Sequence, residues 1–262
     1  MESIIFLVVA LVAILVGYTH DGGVVTHLLK LSPALIVFGG TIGAVGVSYP
    51  ISELKNMGAV VKVALSRPKN NLVELIAYFK QIAFKTRKEG LLSIEEMISG
   101  DDIDPFIKKG LQMVVDGIEP QTVKDTLELS VELIEERHKA GIAIFESAGG
   151  YSPTLGIIGT VTSLVVVLAG LSSDTSALGE SISSAFIATL YGISSANLLW
   201  LPTATKLKRY NEAEMKEKNL IIEAILCIQE GINPNTLDEK LKGFLDKKQL
   251  AQYESQSGKE GE

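Results

Sequence analysis

Cysteine is almost missing from this chain: Cys227 is the only one in 262 residues. A single thiol closes no intrachain disulfide, and a cysteine-rich metal site is excluded with it. Histidine is equally scarce. His20, His27 and His138 lie far apart in sequence and share no metal-ligand spacing, so no metal site is expected. The patterns for phosphate loops, dinucleotide binding, serine hydrolysis and zinc proteolysis do not occur. No catalytic residues, no cofactor and no enzymatic activity are expected. A surplus of positive charge is also absent: the formal net charge is −7, which argues against a nucleic-acid partner.

The chain is rich in long apolar blocks instead. Four can serve as spans: roughly 3–18, roughly 31–49, a third that includes "YSPTLGIIGTVTSLVVVLAGL" (151–171), and roughly 182–201. About 20 mainly apolar residues cross a hydrocarbon core of ~30 Å as a helix. The first block has no basic segment before it and no clear small-residue cleavage site, so it reads as a retained span. The basic residues are one-sided. Thirteen lie in 51–139 and ten in 206–262, and Lys30 is the only one left. The positive-inside rule therefore places both termini and the 51–139 segment in the cytoplasm, with 19–30 and 172–181 facing outward.

The expected fold is all-α: a polytopic membrane protein with four transmembrane helices, two of them extending into a helical cytoplasmic domain. Residues 1–50 form a transmembrane hairpin, 51–139 a cytoplasmic helical domain, and 140–203 the third and fourth spans. Residues 204–248 form a cytoplasmic helical extension and 249–262 a disordered tail. In 72–83 apolar residues fall at Leu72, Leu75, Ile76, Phe79, Ile82 and Ala83, the stripe of an amphipathic helix that Gly90 ends. A short helix follows in "LLSIEEMISG", and "DDIDP" and "DGIEP" are cap signals. Pro120 suits a helix start, and no strong breaker stands between it and Gly149–Gly150. That helix runs on into the third span. The fourth likewise continues to Gly231 and the "NPN" turn.

The third span carries a narrow face of small residues: Gly149, Pro153, Gly156, Thr160, Ser163 and Gly170. The fourth repeats it with Ser181, Ala185, Ala188, Gly192 and Ser195, and Thr189 lies beside them. Such faces serve plain helix packing in lipid. Two of them with hydroxyls also suit a polar pathway. Deep carboxylates are the decisive absence, since no Asp or Glu lies deep within any span. An intramembrane ion path normally uses a titratable group. If the chain conducts protons, another chain supplies that group, docked against the small face, where Thr160 and Thr189 hydrogen-bond its carboxylate or an ion. Pro153 frees a carbonyl one turn earlier, which suits either a static kink or a bend that moves, and Pro202 has the same two readings. Gly39–Gly40–Thr41 reads as packing. The run "KTRKEGLLSIEE" reads as a solvated face or a partner-steering surface.

Four stretches, in this order, resemble the MotA family, the ion-channel subunit of the bacterial flagellar stator within the MotA/TolQ/ExbB superfamily. They are "GGTIGAVGVSYP" (39–50), "RKEGLLSIE" (87–95), "SPTLGIIGTV" (152–161) and "ATLYGISSANLLWLP" (188–202). The resemblance covers nearly the whole chain and implies a homopentamer in the cell inner membrane around a MotB-like single-span partner, whose membrane Asp titrates. It implies that Thr160 and Thr189 line the ion path, that Pro153 and Pro202 couple to conformational change, and that Arg87 and Glu95 contact the rotor protein FliG. The transported ion is taken as H+, with Na+ as the alternative, because threonine at the position of Thr160 occurs in both kinds of channel. The alternatives are an ExbB/TolQ-like energiser of envelope transport, which usually lacks the N-terminal hairpin, and a non-conducting four-span scaffold.

Overall fold

The computed structural model describes residues 2–66, 71–100, 103–170 and 175–257. Every regular element among them is helical. The order is α1 (Glu2–His20), a 3-10 turn (Val25–Leu28), α2 (Leu31–Ala34), a π turn (Leu35–Gly39), α3 (Gly40–Ser48), α4 (Ile51–Leu54), α5 (Met57–Leu65), α6 (Leu72–Glu89), α7 (Ser93–Ile98), α8 (Pro105–Val115), α9 (Pro120–Gly170) and α10 (Thr175–Ser195). A second π turn (Ala196–Trp200), α11 (Leu201–Gln229), α12 (Pro234–Lys242) and α13 (Lys247–Ser257) complete it. Four helices are long and apolar enough to cross a membrane: Ser3–His20, Leu31–Ser48, Pro120–Gly170 and the continuous run Leu178–Gln229.

The chain forms two compact units, Met1–Pro68 with His138–Arg209, and Lys69–Arg137 with Tyr210–Glu262. The expected division at residue 50 is thus shifted. Ala64 on α5 is buried with Ile142, Phe145, Ala204 and Leu207, so the helices after the second span belong to the span unit. The expected tail is corrected as well. Residues 249–257 are helical, because Tyr253 is buried and hydrogen-bonds the Asp238 carboxylate. Residues 258–262 and 172–174 lie outside the described residues.

In the span unit the second span is tied to α9 by tyrosine hydroxyls. Tyr49 Oη donates to the Ala143 carbonyl at 2.9 Å and lies 2.7 Å from Ser147 Oγ, and Ser48 Oγ is 2.8 Å from Tyr151 Oη. Gly40 leaves room for Leu155: a Cβ there would lie 2.1 Å from Leu155 Cδ1. The packing reading holds for Gly40, whereas Gly39 faces open space.

The polar unit has a conventional core. Ile76, Phe79 and Ile82 of α6, Leu111 of α8, Leu127 of α9 and Ile225 of α11 are fully buried together. Full burial of one such side chain contributes roughly 1.5–3 kcal/mol. Asn71 caps α6 through Glu74 N–H, and Gly90 ends it with φ +86°. Asp104 accepts from Phe106 and Ile107 N–H at the start of α8, and Asn233 accepts from Asn235 N–H at the start of α12. Gly117 and Gly231 take left-handed φ at the turns before the next helices.

Candidate functional site

The two small faces of the span unit meet each other. A Cβ on Gly192 would lie 2.7 Å from the Ser152 carbonyl oxygen, 3.0 Å from Gly156 Cα and 3.2 Å from Pro153 Cα. A Cβ on Gly156 would lie 3.0 Å from the Ala188 carbonyl oxygen. Backbone therefore lies on backbone over two turns, which only glycine allows. Ser152 and Ser195, both buried, close one end of this seam with their hydroxyls 2.5 Å apart. Thr160 and Thr189 close the other end, also at 2.5 Å. The small faces are thus largely covered within the chain, and the expectation of a partner helix docked on the bare face is corrected. What remains for a partner is the half-buried hydroxyl edge at Thr160 and Thr189.

Hydrogen-bonding groups crowd that edge. Thr160 Oγ1 lies 3.0 Å from the Gly156 carbonyl oxygen and 2.9 Å from that of Ala185 and can donate to either. Across its short contact with Thr189 Oγ1 either hydroxyl can be the donor. Each hydroxyl has one rotatable proton and two lone pairs, so the edge can accept from a protonated group or donate to a carboxylate.

Pro153 lies beside the seam inside the unbroken α9, next to Gly192. Pro202 is exposed and follows the π turn Ala196–Trp200. Tyr191 joins the start of the second span to α10: it donates to the Leu28 carbonyl and accepts from Lys30 N–H at 3.2 Å. Lys30 also pairs with Glu180 at 2.7 Å. Sequence reasoning singled out neither Tyr191 nor the Ser152–Ser195 pair. Their signal is only that a hydroxyl in an apolar helix needs a partner.

In the polar unit the charged run divides. Lys85 pairs with Glu96 at 2.7 Å. Arg87 and Glu95 are exposed, and neither has an ion-pair partner among the described residues. Arg87 lines a cleft of about 230 Å³ with Gly90, Leu91, Gln229, Glu230 and Ile232. The Gln229 amide donates to the Ile118 carbonyl at 2.5 Å, which turns its Oε1 away, buried and without a donor among the described residues.

Comparison with known proteins supplies the rest. Residues 99–219 match the MotA/TolQ/ExbB proton channel family, and residues 4–90 match the Motility protein A N-terminal family. Motility protein A of Bacillus subtilis (strain 168) is 38% identical over 99% of this chain and 97% of its own length. The chain belongs to the MotA/TolQ/ExbB proton channel family. Within that family, the chain in the structure of the flagellar MotAB stator complex from Bacillus subtilis is similar at 38% identity, with a TM-score of 0.89 over 96% of this chain and 99% of that one. The C. jejuni MotAB structure gives 32% identity and a TM-score of 0.88 over 94% and 96%. As a member with four membrane-capable helices, the chain is a multi-pass membrane protein.

Proposed function

We propose that the chain is a flagellar motor stator subunit which, with a MotB-like partner, converts ion flow into torque. The observation that carries this reading is the half-buried hydroxyl pair Thr160–Thr189, built into spans that hold no Asp or Glu deep within them. A partner aspartate protonated at this edge can donate to either hydroxyl. When ionised it can only accept, and the changed fit releases it. Copies of the chain ring the partner, so each protonation passes it to the next edge, and the ring steps. A closed ring with a heterologous interface suits such a device, and five copies is the stoichiometry implied by the resemblance. Charge crossing the membrane supplies ~2.3 kcal/mol per 100 mV. Pro153, packed beside the seam, and Pro202, after the π turn, are where the helices yield to each step. Arg87 and Glu95, without an ion-pair partner among the described residues, carry the motion to the rotor protein FliG. The ion is H+, in keeping with the family's description as proton channels, and Na+ is the alternative. The membrane is the inner membrane, with both termini cytoplasmic.

The ExbB/TolQ-like alternative is disfavoured because residues 4–90, which include the hairpin, match the Motility protein A N-terminal family.

The test is co-expression with a MotB-like partner whose plug is removed. Proton influx is expected with both chains and is lost when Thr160→Val and Thr189→Val are combined. Arg87→Glu is expected to keep influx and abolish swimming, and a charge-reversed FliG restores part of it. Influx unaffected by the double threonine change refutes the ion-path assignment. Full motility of Arg87→Glu refutes the rotor contact.

A further inference from the structure

The polar unit exposes few large apolar side chains, and they are not scattered. Among its described residues only Phe84, Leu91, Leu92, Leu129 and Leu133 do so. The first three gather around the junction of α6 and α7. Leu92 is 71% exposed and Phe84 52%. Local packing is not at fault, because the same two helices bury other apolar residues well: Ile82 of α6 and Ile94 and Ile98 of α7 sit in the core of the unit. A single exposed leucine needs no explanation, but a cluster marks a contact surface.

The cluster is interleaved with the charges assigned to the rotor contact. Phe84, Arg87 and Leu91 follow at steps of three and four along the end of α6 and the turn after it. Leu92 stands at the start of α7, one turn before Glu95. Gly90 turns the chain between the helices with φ +86°, and the Lys85–Glu96 bridge at 2.7 Å ties α7 back to α6. The apolar side chains, Arg87 and Glu95 thus share one corner of the unit. Exposed charges alone grip weakly. A solvent-facing ion pair is screened by salt, and it governs approach and register more than hold. Apolar surface removed from water is what chiefly resists separation of two proteins. A lipid surface does not suit this corner, because Lys85, Arg87 and Lys88 are matched by Glu89, Glu95 and Glu96, whereas a membrane-binding face is basic. A protein surface with charges of both signs does suit it.

We propose that Phe84, Leu91 and Leu92 are the apolar anchor of the rotor contact; this rests on the reading that Arg87 and Glu95 meet FliG. The rotor surface that fits presents an apolar side chain between an acidic group for Arg87 and a basic group for Glu95. The charges align the two surfaces, and the anchor holds them while force passes. The test uses the complete chain with a MotB-like partner in cells lacking their own stator. Phe84→Ser combined with Leu92→Ser is expected to keep proton influx through the unplugged complex and to reduce swimming as far as Arg87→Glu does. Leu92→Met is expected to swim like the unaltered chain. The charge-reversed FliG that partly restores Arg87→Glu is expected not to restore the double serine chain, which has lost no charge, and restoration by it counts against an apolar contact. Full swimming of the double serine chain beside immotile Arg87→Glu leaves a purely ionic contact and overturns the anchor alone. Full swimming of both overturns the rotor reading, and the anchor with it. Loss of influx with a smaller purified complex also overturns the anchor, since the cluster then joins copies of the chain.

Discussion

At the scale of single residues, the seam between α9 and α10 turns on glycines whose importance lies in what they face. Gly192 sits under the Ser152 carbonyl, and no rotamer change moves a backbone oxygen. Gly192→Ala is therefore expected to push the two helices apart. Overpacking of this kind costs about 1–3 kcal/mol. Gly43→Ala is the control within the same unit, since a Cβ there meets nothing within 4 Å. The purified chain should lose thermal stability with the first change and not with the second, and equal midpoints would refute the seam. Thr160 and Thr189 were legible in the sequence because a hydroxyl in an apolar span is conspicuous. The fate of the small faces was not. Periodicity identifies a face without saying what covers it, and the same stripe fits a partner helix or a neighbour in the chain.

At the scale of elements, the helices whose ends carry distinctive chemistry were readable: α6 ends at Gly90, α8 starts at Asp104 and α9 at Pro120. The two π turns were not, because a mainly apolar run keeps little phase against which an extra residue shows. The start of α8 gives a prediction with a sign. Burial alone would raise the Asp104 pKa, but the Lys218 ammonium at 3.0 Å and the N–H groups of Phe106 and Ile107 outweigh it, so the net shift is downward. A carboxylate depressed in the folded state contributes stability that is full above its unfolded pKa and is lost as pH falls through the folded value. Glu217 nearby works the other way: burial raises its pKa, so protonating it relieves the fold. The protection of the α8 amides, measured against the intrinsic exchange rate at each pH, should therefore fall on acidification below about pH 4, the ordinary carboxylate value. Asp104→Asn should flatten that dependence while keeping the cap, because Asn caps a helix about as well as Asp. An unchanged acid profile in Asp104→Asn would assign the effect to other carboxylates, such as Asp238.

At the scale of the whole molecule, the distribution of basic residues determines orientation, and the single cysteine makes orientation measurable. Lys30 is the one Lys or Arg on the side assigned outward, and its pairing with Glu180 leaves that side with almost no free positive charge. Twenty-three other Lys and Arg lie in the segments assigned to the cytoplasm. Cys227 is buried in the polar unit, and burial pushes its thiol up to about 11, so at neutral pH almost none is thiolate and it resists maleimide. The native chain thus provides its own blank. Asp21→Cys, at an exposed position just after α1, should be labelled in intact cells by a reagent that does not cross the membrane. Lys248→Cys, exposed on α13, should be labelled only after permeabilisation. The unaltered chain should stay unlabelled in both conditions. Labelling of Lys248→Cys from outside would invert the orientation, and with it the placing of Arg87 and Glu95 where a cytoplasmic rotor can reach them.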